Sequence, residues 1–218
     1  SNNAAFSELI AAVDRGNADR VAAALRNPLL TELNGYDKHG CTALIAATNF
    51  GSAEVVSVLL ADERLDPTIG DQFGETALMY AARDGHEELV ALLLADDRVD
   101  PNKSAVEWGN TALLAATING QDETFALLLA DKRVDPNKKD DYDRTAVALA
   151  GLHERQSIMD MLLWDRRTTR TRPVVGEDIY DKSLAKIEKY ARRLRFRGLV
   201  RAVVAFRRLR LRVAPAGF

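Results

Sequence analysis

The chain has 218 residues, 47 % of them hydrophobic, with a single cysteine and a formal net charge of −2 from 30 Lys and Arg against 32 Asp and Glu. That length suits one elongated domain with an appendage, and one cysteine excludes an intrachain disulfide framework. No stretch approaches the roughly 18 consecutive apolar residues of a membrane-spanning helix, and the amino terminus has no basic region leading into an apolar one. With Cys41 alone, this points to a reducing, intracellular setting, cytoplasmic or nuclear.

In chain order, Ser7 to Leu25 read as an amino-terminal cap: Gly16 stands 35 residues before Gly51, but the threonine motif that follows later is missing. That motif recurs as Thr42-Ala43-Leu44, Thr76-Ala77-Leu78, Thr111-Ala112-Leu113 and Thr145-Ala146-Val147, spaced 34, 35 and 34 residues apart. In the same phase run Ala46-Ala47, Ala81-Ala82 and Ala115-Ala116, then Gly51, Gly85 and Gly120, then the leucine pairs Leu59-Leu60, Leu93-Leu94, Leu128-Leu129 and Leu162-Leu163. A period of this size defines a stacked array whose units cannot bury a core alone.

Within a unit, the threonine hydroxyl is expected to cap a helix, the alanines to allow close packing, and the glycine to stop it after about two and a half turns. Pairs such as Val55/Leu59, Leu89/Leu93, Phe125/Leu129 and Ile158/Leu162 at i,i+4 then form the apolar stripe of an outer helix. Asp66-Pro67, Asp100-Pro101 and Asp135-Pro136 bar helix continuation and return the chain to the next unit. Alternating helix, helix and loop predicts an all-α solenoid without a sheet core. The final unit is worn, with Asp143 and Glu154 at glycine positions.

Composition changes after Trp164: residues 1–165 hold 14 Lys and Arg against 28 Asp and Glu, whereas residues 166–218 hold 16 against 4. Residues 166–177 read as a linker and residues 178–213 as a basic amphipathic helical tail. Leu184, Ile187, Ala191 and Leu194 share one face; Leu199, Ala202, Val203, Phe206 and Leu209 share another, with a break at residues 195–198.

The run from Asp37 through Gly40, Thr42, Ala46 and Ala47 to Gly51, and its copy from Asp71 to Gly85, resemble the Asp-x-x-Gly-x-Thr-Pro-Leu-His-x-Ala-Ala-x-x-Gly of ankyrin-repeat proteins. The resemblance covers about residues 4–165, in five units at 4–36, 37–70, 71–105, 106–139 and 140–165. The family's proline is replaced by Ala43, Ala77, Ala112 and Ala146, and its histidine by Ile45, Met79, Leu114 and Ala148, which exchanges bridging hydrogen bonds for apolar burial. The period exceeds the usual 33 or so, and the excess is assigned to the Asp-Pro loop.

The resemblance implies protein recognition by hairpin fingertips and adjoining inner helices. Matched position by position, the fingers offer Lys38 and His39, Gln72 and Phe73, Glu107 and Trp108, Asp141 and Tyr142; the inner helices offer Phe50, Arg83 and Ile118. A row of exposed rings makes a good interface centre, because each removes a large area from water at small rotamer loss. The same rings can also stiffen the stack by packing on neighbouring fingers, and the two roles are compatible.

His39, His86 and His153 fall one per unit, and no phosphate-binding, dinucleotide or nucleophile-elbow motif occurs. No metal, cofactor or catalytic site is therefore expected, and the chain reads as a non-enzymatic, monomeric interaction scaffold for a protein partner. Two roles stand for the tail. Its apolar faces can cover the open end of the last unit, or Arg192, Arg193, Arg197, Arg201, Arg207 and Arg208 can bind nucleic acid, an acidic membrane or a calmodulin-like groove.

Overall fold

The computed structural model describes residues 2–165 together with 167 and 168. Among these residues lie ten helices and no strand: α1 (Asn2–Val13), α2 (Ala18–Leu25), α3 (Ala43–Asn49), α4 (Ala53–Leu60), α5 (Ala77–Asp84), α6 (Glu87–Ala95), α7 (Ala112–Asn119), α8 (Asp122–Ala130), α9 (Ala146–Leu152) and α10 (Gln156–Trp164). Odd-numbered helices pack on one another as an inner layer, even-numbered helices as an outer layer, and each pair closes one unit. The five units expected from the period are present. The tail at 178–213 lies outside the described residues.

Local chemistry sets each element. Thr42, Thr76, Thr111 and Thr145 accept hydrogen bonds from the N–H groups of Ile45, Met79, Leu114 and Ala148 at 3.3, 3.4, 3.3 and 3.5 Å, satisfying donors that a helix start leaves open. Helices α3, α5, α7 and α9 span only seven or eight residues, about two turns rather than two and a half. Helix α1 is longer, at 12 residues, and starts at Asn2, ahead of the expected cap segment.

The core runs continuously along the stack. Ile45, Met79 and Leu114 are buried at the positions where the family carries histidine. The leucine pairs divide: Leu59, Leu93, Leu128 and Leu162 are fully buried, while Leu60, Leu94 and Leu129 only lean on the core. The first member of each pair lies four residues after Val55, Leu89, Thr124 or Ile158, on the face that meets the inner layer.

The loops contain a charged ladder that joins neighbouring units. In Asp62-x-Arg64, Asp96-x-Arg98, Asp131-x-Arg133 and Asp165-x-Arg167, each guanidinium is held by its own aspartate at 2.6 to 2.7 Å. It then reaches back across the interface to the preceding unit. Arg64 bonds the carbonyls of Leu25 and Leu30, Arg98 those of Leu60 and Leu65, Arg133 those of Leu94 and Val99, and Arg167 those of Leu129 and Val134. The first carbonyl of each set lies in the last turn of an outer helix, an end that needs external donors. Asn34, Asn102 and Asn137 complete the brace by donating to the carbonyls of Arg64, Arg133 and Arg167.

The fourth rung changes one boundary. Arg167 belongs to this ladder, and Thr168 donates its hydroxyl to the carbonyl of Leu162. The array therefore continues through Thr168, into the segment expected to be linker from residue 166.

Candidate protein-interaction surface

Three of the four fingers follow one design. Asp37, Asp71 and Asp140 each accept two backbone hydrogen bonds on one carboxylate oxygen: from His39 and Cys41, from Phe73 and Glu75, and from Tyr142 and Arg144, all at 2.8 to 2.9 Å. The N–H of the same aspartate closes the turn by donating to the carbonyl four residues on. Successive fingers then press together. At Gly74 (φ +76°) a Cβ would stand 2.7 Å from the backbone N of Val106, so both its left-handed φ and its neighbour require glycine. Asp143 and Glu154, at φ +63° and +55°, adopt the same left-handed conformation in the last unit, as glycine positions should. Both are exposed there, so a side chain has room.

The third finger departs from this design. Ala105 stands in place of the aspartate, and the hairpin closes by Ala105 N–H donating to the carbonyl of Asn110, five residues on. The extra residue of the 35-residue spacing is thus in the fingertip, not in the Asp-Pro loop: Asp100 and Thr111 are separated by 11 positions, whereas Asp66 to Thr76 and Asp135 to Thr145 are separated by 10. Val106 and Glu107 both donate to the carbonyl of Phe73, and Trp108 accepts from the N–H of Asp141. Trp108 itself has φ +74°, and the side-chain oxygen of Asn110 is buried with no hydrogen-bond partner.

The expected aromatic row is present and exposed, with Phe73 at 47 %, Trp108 at 53 % and Tyr142 at 59 % of full exposure. Trp108 and Tyr142 touch as a tilted pair, ring centroids 6.1 Å apart, so the rings also join neighbouring fingers. Lys38, His39, Gln72, Glu107 and Asp141 are exposed beside the row. On the inner layer Phe50 is exposed, whereas Ile118 is half-buried against the core. Arg83 is tied down: it bonds Glu75 at 2.9 Å and Asp84 at 3.1 Å, and lies over the Tyr80 ring at 4.3 Å.

Arg144 repeats that arrangement on the last finger, bonded to Asp140 at 2.7 Å with its guanidinium 4.7 Å above the Tyr142 ring. Desolvation works against ionising Asp140, but the hydrogen bonds from Arg144 and Tyr142 outweigh it and hold the carboxyl below the usual aspartate range. The Tyr80 phenol is pushed up by burial and by donating to Asp71 at 3.0 Å. Burial, then the charges of Asp37 and Asp71, raise the Cys41 thiol, which therefore lacks the thiolate character of a nucleophile.

The ladder arginines and the broken third finger are features that apolar periodicity does not reveal. Repetition of Asp-x-Arg in phase with the threonine motif was the available signal for the first, and alanine in place of the aspartate at 105 for the second. Among the described residues, no cluster of three or more His, Cys, Asp and Glu is placed to hold a metal ion, and no helix is long and apolar enough to cross a membrane.

Stacked helix hairpins, threonine-capped inner helices and projecting fingers define a helical-repeat solenoid of the recognition type. The family model for ankyrin repeats matches residues 9–105 as three copies, and the single ankyrin-repeat model matches residues 108–141. The chain belongs to the ankyrin-repeat family, whose repeats are in general protein-interaction modules. A search of curated proteins returns no match.

Proposed function

We propose that this protein is a non-enzymatic scaffold that holds a protein partner on its finger row and adjoining inner helices. The observation that carries the reading is the line of half-exposed rings Phe73, Trp108 and Tyr142 on a frame braced at every unit boundary. Rings held in place lose little entropy on binding and bury large areas, the property of interface hot spots. The partner side of this reading is a macromolecule rather than a substrate, and the protein acts as a monomer inside the cell.

The test replaces Phe73 and Trp108 together with alanine. Partner capture by the full chain should be abolished while far-UV circular dichroism is unchanged; retained capture by the folded variant would refute the finger row.

The tail supplies the second part of the proposal, as a cover for the open end of the stack. Leu152 is exposed there, and Met159, Met161 and Leu163 are only partly covered, an apolar surface that suits the apolar faces of residues 184–206. Removal of residues after Thr168 should lower the unfolding midpoint. Unchanged stability, with rapid amide exchange throughout 184–206, would instead favour an anionic ligand for the tail.

A further inference from the structure

Arg83 and Arg144 show what the face carrying the fingers does with a cation. In each case a guanidinium lies over an aromatic ring, Tyr80 or Tyr142, and is bonded to a neighbouring carboxylate, Glu75 or Asp140. Trp108 offers the same components without the cation. It is the largest ring of the row and the aromatic type that attracts cations best. Glu107 precedes it, and Asp141 is fastened to its carbonyl through a backbone hydrogen bond of 3.1 Å. Neither carboxylate has an ion-pair partner among the described residues, whereas the nearby cations Lys139 and Arg144 are already paired with Asp143 and Asp140.

Three local rules also fail together at this finger. A tryptophan occupies a left-handed conformation that ordinarily favours glycine, an amide oxygen of Asn110 is buried unsatisfied, and the aspartate that organises the other fingers is missing. Val106, at 81 % exposure, adds an apolar shoulder. Departures of this kind concentrate where a fold has been bent to a task. Charge gives the occupant its sign, since residues 1–165 carry twice as many acidic as basic side chains.

We infer that the third finger is a receptor for an arginine of the partner, which stacks on Trp108 between Glu107 and Asp141 while the partner's apolar residues cover Val106. This rests on the finger-row reading above and narrows it to a basic, arginine-bearing segment.

The experiment uses the full chain and a fluorescein-labelled peptide of arginines spaced by glycine and leucine, with a twin carrying neutral citrulline at every arginine, read by fluorescence anisotropy. The citrulline twin should bind at least about tenfold more weakly. The variant Trp108→Gly should lose arginine-peptide affinity by a similar factor while its thermal midpoint stays or rises, because glycine relieves the left-handed strain. Glu107→Gln with Asp141→Asn should lose at least about fivefold, and added salt should weaken the parent most.

Equal affinity for both peptides, lost in Trp108→Gly, would overturn the cation assignment and leave the finger row standing. Undiminished binding by Trp108→Gly, or no binding of either peptide, would overturn the receptor itself. A rise in affinity when Arg192, Arg193, Arg197, Arg201, Arg207 and Arg208 are all changed to Gln would make the chain's own tail the occupant and overturn the assignment to a partner. Partner capture that survives loss of both Phe73 and Trp108 is the separate result that refutes the row as a whole.

Discussion

Removal of one ladder arginine tests how the units hold together. Arg98 donates to Leu60 O at 2.7 Å and to Leu65 O at 2.9 Å in the preceding unit, while Asp96 at 2.6 Å fixes its fork. In Arg98→Ala, water can replace the donor at the exposed end of α4, so that loss is small. The Leu65 carbonyl is partly buried and loses a charged donor, which is worth about 1.5 to 3 kcal/mol. With the packing of the arginine stem, the expected loss is about 2 to 3 kcal/mol. Arg98→Lys keeps the charge but cannot span two carbonyls and a carboxylate, so it should recover less than half of that. Urea unfolding followed by circular dichroism measures both variants. An Arg98→Ala midpoint corresponding to less than about 0.5 kcal/mol, the size of an ordinary surface substitution, would refute the ladder as an interface brace.

Three further outcomes follow from named positions. Leu93→Ala, at a fully buried site, should destabilise by about 2 to 5 kcal/mol, with Leu94→Ala clearly less damaging; equal urea midpoints for the two variants would contradict the division of the leucine pair. Glu154→Gly should stabilise by about 0.5 to 1 kcal/mol in the same titration, because relief of the left-handed backbone exceeds glycine's entropic loss. Asp62 and Asp96 have carboxyls held below their ordinary value chiefly by hydrogen bonds from Arg64 and Arg98. Their folded values lie below the unfolded one, so their contribution is present above about pH 3.9 and is lost as pH falls through the folded values. The acid limb of a stability profile should accordingly be shallower in Arg98→Ala.

Much of this architecture was legible because a repeat states its own period. Thr42, Thr76, Thr111 and Thr145 mark both the phase and the helix starts, and a threonine cap acts through its immediate neighbours, so sequence alone placed it. Asp143 and Glu154 were legible as glycine positions for the same reason. What escaped were interactions that cross between units. The contribution of Arg98 depends on carbonyls more than 30 positions away, and nothing in its local surroundings marks it as other than a loop charge. Helix length was read about half a turn long, because Gly51 and Gly85 follow the final helical turn instead of ending within it.

For the candidate surface, the row Phe73, Trp108 and Tyr142 was readable from spacing, but its energetic character was not. Arg83 looks available in sequence, yet the structure commits it to Glu75, Asp84 and Tyr80. Trp108 looks like one more fingertip aromatic, yet its left-handed backbone and the lost aspartate set it apart. Such differences arise from three-dimensional neighbours that periodicity averages away.

The central claim is that recognition occurs on the fingers, and amide hydrogen exchange of the full chain with and without its captured partner tests it most directly. The account predicts new protection at residues 72–75, 105–110 and 140–144, with α4, α6 and α8 unchanged. Protection gained along α4, α6 and α8 with the fingers unaffected would contradict it.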